Sequence, residues 1–252
     1  MHLNIAPFRE ADLEEASELL ARRHQADYAH EQTLPARFTQ TSAARAAVEK
    51  TWLDSNRSGV VARHEGKMIG YLIGVPKIGG ILGRSVWIEL PGHAIDRTYG
   101  AEVYRDLYAA LSPSWVAFGC LAHYALIPAW DQDALAAWFS LSFGKEQVHR
   151  TRETASPFDV PIDPTLEIRR ATLADLDASL ELDDIIPNHQ SRSPVYAPCW
   201  PYNREEARME SMESLKNEQE KLWLALSNGR IVGYQLFMPA KPGRGTGDML
   251  IS

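Results

Sequence analysis

The chain has 252 residues, 45% of them hydrophobic and 23% charged, with a formal net charge of −7. That length supports one large domain or two ordinary ones, each with its own core, and the composition excludes a disordered or fibrous chain. The acidic balance, with no basic cluster, excludes general nucleic-acid binding, which needs a Lys/Arg footprint. The opening MHLNIAPFREADLEE lacks the basic-then-apolar order of a secretory signal. No apolar run approaches the roughly 20 residues of a membrane span. Two widely separated cysteines, Cys120 and Cys199, fit a reduced compartment, so a cytoplasmic location is expected.

In chain order, residues 3–8 read as a short strand and 11–24 as an amphipathic helix with Leu13, Ala16, Leu19 and Leu20 on one face. A polar loop containing Pro35 leads to a helix over 43–56. Residues 58–64 and 68–75 are apolar strands joined by Glu65-Gly66-Lys67, the turn chemistry of a hairpin. Glycines 79, 80 and 83 mark a loop. A strand over 85–90, a helix over 102–111 and a buried strand over 121–128 follow. A helix over 131–141, capped by Asp131, and a last strand over 145–151 complete the set. Residues 154–164, with three prolines, read as a linker.

The same opening then recurs. Leu3 and Ile5 fall on Leu166 and Ile168, and Ala11-Asp12-Leu13-Glu14 falls on Ala174-Asp175-Leu176-Asp177. Far downstream, Gly66 and Gly70-Tyr71 fall on Gly229 and Gly233-Tyr234 at the same shift of 163 residues. Two separated matches at one shift indicate a duplication. The second half reads as a strand over 166–170, helices over 173–184 and 204–219, a hairpin of 221–227 with 231–238, a Gly/Pro/basic loop over 241–247 and an ending at 248–252. The shift places Ser252 on Glu89, inside a strand, so the second copy is expected to stop halfway. The expected division is a complete domain over 1–153, a linker over 154–164 and a partial domain over 165–252.

The order strand, helix pair, hairpin, strand, helix, strand, helix, strand resembles the GNAT superfamily of acyl-CoA-dependent N-acetyltransferases. Three stretches carry the resemblance: Phe8-Arg9-Glu10-Ala11-Asp12-Leu13 with its counterpart at 168–176, the hairpins over 60–75 and 223–238, and residues 134–143, ALAAWFSLSF. The resemblance implies an α/β (α+β) GNAT-like fold, a mixed and mostly antiparallel sheet flanked by helices. It also implies acetyl-CoA as co-substrate, lying in a splay between the fourth and fifth strands. The pyrophosphate is then held by amides at the next helix start, an anion site that needs no basic side chain. The family's loop, Gln/Arg-x-x-Gly-x-Gly/Ala, is met by Arg97-Thr98-Tyr99-Gly100-Ala101-Glu102, where Arg97 and Gly100 fit and Glu102 departs. Leu90, Arg97, Gly100 and Ala101 form the expected cofactor set.

Acetyl transfer to an amine needs a base, an acid and a donor to the thioester carbonyl. By the same resemblance Glu89, among Val86, Trp87, Ile88 and Leu90 on the fourth strand, is the candidate base; a solvent-facing carboxylate is the plain alternative. His93, read as a loop residue past the strand end, could titrate near neutral pH. His123 and Tyr124 point to opposite faces by the strand period, and Tyr124 is the candidate acid. The family's usual acid, a Tyr four residues before Gly-Phe, falls on Trp138, which cannot serve. The expected activity is transfer of acetyl from acetyl-CoA to an amine of a small molecule or peptide. The alternative is a non-catalytic binding or scaffold domain that has lost the acyl-CoA site. No nucleic-acid or membrane partner and no metal are expected. An unfinished second sheet leaves an edge that favours a homo-oligomer.

Overall fold

The computed structural model describes residues 3–79, 83–150, 161, 163–194, 196, 197, 203–239 and 249. The chain divides into two compact units, described separately below. Among the described residues no helix is long and apolar enough to cross a membrane.

The first unit opens with β1 (Asn4–Pro7), a 3-10 turn (Glu10–Asp12) and α1 (Leu13–His30). The turn is fixed by Asp12, which accepts from the Arg9 amide at 2.8 Å and pairs with Arg63 at 2.8 Å. The helix α1 runs past the expected His24 because Arg23, His24 and Asp27 continue its buried stripe. After α2 (Thr41–Trp52) come β2 (Ser58–His64) and β3 (Lys67–Ile78), joined by Glu65 and Gly66 at φ of 50° and 83°. The successive positive φ values match the right-handed strand twist, which is what the hairpin turn requires.

Next come β4 (Arg84–Ile88), a 3-10 turn (Leu90–Gly92) and β5 (His93–Ile95), a strand the sequence pattern did not predict. The helix α3 (Val103–Ala117) continues six residues beyond the expected end, straight through Pro113. Proline in a helix interior costs about 3 kcal/mol, but Val103, Leu107, Leu111 and Trp115 form one four-residue-spaced stripe that is at most 5% exposed. Burying Trp115 offsets that cost. The strand β6 (Ala122–Ala125) and α4 (Gln132–Ser140) follow, with Asp131 accepting from the Ala134 amide at 3.1 Å as the expected cap. The expected last strand over 145–151 is not formed over 145–150, and Thr151 lies outside the described residues. Val148 is the only aliphatic side chain in 145–150 and is 42% exposed, so the segment has no apolar face to bury.

The sheet order is β1-β2-β3-β4-β6, with β5 pairing β3 beyond the point where β4 leaves it. All pairs are antiparallel except β4 with β6. One face carries α1, α2 and a core of Phe8, Leu13, Leu20, Val48, Tyr71 and Ile73; the buried Met249 joins this cluster. The other face carries α3 and α4 over Val60, Ile69, Leu72, Val86 and Ile88. Of the expected ending over 248–252 only Met249 is described, and it packs in the first unit's core rather than along the second unit's sheet.

The second unit has β7 (Leu166–Arg170), a 3-10 turn (Leu173–Asp175), α5 (Leu176–Leu180), α6 (Ile185–Gln190), α7 (Arg204–Lys216), β8 (Lys221–Ser227) and β9 (Arg230–Phe237). The helix expected over 173–184 breaks up after Leu180, and α6 occupies a stretch for which no element was expected. The sheet order is β7-β8-β9, all antiparallel. Its hairpin turn, Asn228-Gly229, has φ of 51° and 74°, and its register slips between Ala225 and Leu226. In the first unit the register slips between Ala62 and Arg63, again 163 residues earlier. The expected linker lies outside the described residues except for positions 161, 163 and 164, and the loop over 241–247 lies wholly outside them.

Candidate active site

The parallel pair β4 and β6 is in register from Ser85 opposite Ala122 to Ile88 opposite Ala125, and the Leu126 amide donates to the Ile88 carbonyl at 3.0 Å. Beyond that bond the strands part. Pro91 has no amide to continue a ladder, so the backbone turns through Leu90–Gly92 and extends again as β5 on β3. The other wall runs from Leu126 to the cap of α4. A wedge opens between them.

His93 crosses this wedge. It is fully buried on β5, not on a loop. Its Nε2 is 2.8 Å from the Leu126 carbonyl, which can only accept, so the proton is on Nε2. Nδ1 then accepts from the Tyr104 hydroxyl at 3.1 Å. Burial depresses the His93 pKa to about 3, with the Arg23 charge acting in the same direction. Burial thus favours the neutral imidazole, and the residue stands on a strand where the sequence pattern led to the expectation of a loop. Burial likewise pushes the Tyr104 hydroxyl well above its ordinary range.

Three residues that the sequence reading missed hold the wedge. Arg23 of α1 donates through Nη1 to the carbonyls of Leu90, at 2.8 Å, and His93, and through Nε to Asp27 at 3.3 Å. Asp27 also accepts from the Trp130 indole N–H at 2.9 Å. One helix thus grips both walls. Charged residues spaced along the buried stripe of α1 were the available signal.

At the mouth, Arg97 lies over the Trp130 ring at 4.9 Å and pairs with Asp131 at 3.4 Å and Asp133 at 3.8 Å. Gly100 has φ of 82°, and Ala101 packs against the α3-side core. Glu102 is exposed and pairs with Arg105 in the first turn of α3, which offsets its charge there. Among the first amides of α3, those of Tyr104 and Arg105 donate to the Ala101 and Glu102 carbonyls at 3.0 and 2.9 Å.

On the α1-side face, past the last paired residue of β4, Glu89 pairs with Lys77 at 3.3 Å. The Lys77 ammonium lies 5.0 Å over the Trp87 ring, and Trp87 stacks on Tyr124 at 4.8 Å. Glu89 and Tyr124 are thus joined through Lys77 and Trp87, two more residues not singled out from sequence. Burial raises the Tyr124 pKa, as does the charge of Glu146. Leu90 is half-buried with its carbonyl engaged by Arg23. His123 faces the other side, as its strand position predicts, with Nδ1 at 2.7 Å from the Tyr108 hydroxyl. Trp138 fills the α3-side core against Phe143 at 4.9 Å.

No protein-family model matches the chain, and no curated protein does. Solved structures do match. A mutant of the BH1408 protein from Bacillus halodurans is 19% identical, over 63% of this chain and 99% of its own, with a TM-score of 0.46. Aminoglycoside N-acetyltransferase AAC(6')-Iy in complex with CoA is 18% identical, over 61% of this chain and 96% of its own, with a TM-score of 0.44. A ribosomal-protein-alanine N-acetyltransferase from Brucella melitensis biovar Abortus 2308 is 15% identical, over 61% and 99%, with a TM-score of 0.45.

Proposed function

We propose that the first unit is a GNAT-type N-acetyltransferase moving acetyl from acetyl-CoA to an amine of a small molecule or peptide. The observation that carries this reading is the wedge: a parallel strand pair that separates beside a helix start whose carboxylate, Glu102, is paired with Arg105. In this reading the thioester enters between β5 and residues 126–130. The amine lies on the Trp87 and Tyr124 shelf, where Lys77 already shows how a cation is held. Glu89 takes the amine proton, and Tyr124, kept protonated by its raised pKa, returns one to the leaving thiolate. Arg97, Gly100 and Ala101 line the pyrophosphate end. The second unit, with the same turn geometry and register slip 163 residues on, is read as a partial second copy.

A second reading, a binding domain without catalysis, is favoured by one feature: Arg97 is already matched by two carboxylates. Titration calorimetry with acetyl-CoA, followed by thiol release with a panel of amines, separates the two. Binding with thiol release that Glu89→Gln removes supports the transferase. Binding without release selects the second reading, and no heat at millimolar acetyl-CoA eliminates the first.

A further inference from the structure

Among the described residues two buried side-chain atoms have no hydrogen-bond partner: the Trp138 indole nitrogen, enclosed in the α3-side core, and Nη2 of Arg23. Arg23 is the one that carries charge, and its side chain is 5% exposed. A buried donor left unpaired is costly, more so on a charged group, and such an atom in a native fold calls for an explanation.

The neighbours of Arg23 give the position of Nη2. On β5 Ala94 pairs with Tyr71 of β3, and just past it the Asp96 amide donates to the Ile69 carbonyl at 2.7 Å. Strand alternation therefore turns the His93 carbonyl to the opposite edge, the one that lines the wedge. Arg23 Nη1 donates to that carbonyl and, at 2.8 Å, to the carbonyl of Leu90. The guanidinium is a rigid planar fork, so Nη2 is held beside Nη1 at the same edge. Gripping the two walls uses only Nε and Nη1. Both N–H bonds of Nη2 are left over.

Charge narrows what fits there. Asp27, 6% exposed, already balances the Arg23 guanidinium, so a second carboxylate beside Nη2 would bury a net negative charge. A neutral acceptor meets the donor without that cost. We propose that Nη2 of Arg23 donates to the thioester carbonyl oxygen of the acyl donor, which makes Arg23 a catalytic residue of the acetyl transfer proposed above; the inference rests on that reading. As the amine nitrogen bonds to the carbonyl carbon, the C=O pair moves onto oxygen, where a shielded positive charge is already in place to meet it. The pair returns as the C–S bond breaks, with the amine proton on Glu89 and the thiolate protonated by Tyr124. Glu89 directly precedes Leu90, so the base and Arg23 serve one short stretch of backbone.

The test is calorimetry on the full chain with two analogues of acetyl-CoA. One is the ketone in which a methylene replaces the thioester sulfur; the other is the S-ethyl thioether, which has no carbonyl. The ketone is expected to bind about tenfold tighter. Arg23→Lys keeps the charge but loses the fork. It is expected to bring the two affinities together and to lower kcat for thiol release by about 100-fold with KM little changed. Equal affinities in the unaltered protein overturn the inference and leave the transferase reading standing, since binding itself persists. Binding of neither analogue overturns both. An Arg23→Lys variant that keeps the preference for the ketone, or that loses affinity for both analogues alike with unchanged circular dichroism, also overturns the inference. Should that variant not fold, the comparison in the unaltered protein decides alone.

Discussion

Tyr104 gives its hydroxyl proton to Nδ1 of His93, which fixes that imidazole as the neutral tautomer donating from Nε2 across the wedge. The folded pKa of about 3 lies below the ordinary 6.5. As pH falls below 6.5 the unfolded chain therefore gains a proton that the folded chain refuses. The stabilisation is complete above about pH 6.5 and is lost progressively toward pH 3. His24 and His123, also lowered by burial, act in the same direction. Denaturant unfolding between about pH 7 and 4 is expected to show a loss of a few kcal/mol from His93. His93→Gln is expected to reduce the slope by about one proton; an unchanged slope would contradict the buried neutral assignment.

Asp131 has two separable roles, capping α4 and pairing with Arg97. Asparagine caps as well as aspartate, so Asp131→Asn removes the charge and keeps the helix. Acetyl-CoA is expected to bind about 3- to 10-fold tighter, because Arg97 is then freer to meet an anion, whereas Arg97→Met weakens it. Calorimetry on the two variants decides the matter, and equal affinities would remove Arg97 from the cofactor set.

If the acceptor ammonium takes the place that Lys77 holds over Trp87, the two compete. Lys77→Met is expected to lower KM for cationic amines by about 3- to 10-fold. Its effect on stability stays within about 1 kcal/mol, since the side chain is 51% exposed. Thiol-release kinetics across neutral and cationic amines test this, and a uniform rise in KM would count against the shelf.

Two glycine-to-alanine changes form a matched pair. Gly74→Ala drives a methyl into the Trp115 ring, with a separation of 2.3 Å before relaxation, and is expected to cost about 1–3 kcal/mol. Gly233→Ala meets no atom and is expected to be neutral or to stabilise by about 0.4–1 kcal/mol through the unfolded state. Thermal unfolding of both variants is the measurement.

Much of the scaffold was legible in the sequence. The strands Leu166–Arg170 and Lys221–Ser227 and the cap at Asp131 lie where the pattern put them, because period-two apolarity and capping chemistry are local signals. The wedge was not legible. His93–Ile95 is three residues after a Pro-Gly step, too short for any periodicity, and His93 is buried by partners 11 and 33 residues away. Arg23 lay at the end of the expected helix and Asp27 beyond it, and only the carbonyls of Leu90 and His93 and the Trp130 indole give them a place inside. Residues 145–150 failed as a strand because their one aliphatic side chain, Val148, gives them no apolar face to bury.

The grip of α1 also bears on the order in which the molecule can assemble. The bond between Asp27 and Trp130 spans 103 residues, and those from Arg23 to Leu90 and His93 span 67 and 70. A nascent chain emerging from its N-terminus must therefore carry α1 with an unburied Arg23–Asp27 pair until Trp130 has been made. Contacts so distant in sequence slow folding, because loop closure is paid for before any of them forms. The wedge is thus completed late, only once Trp130 has joined the fold.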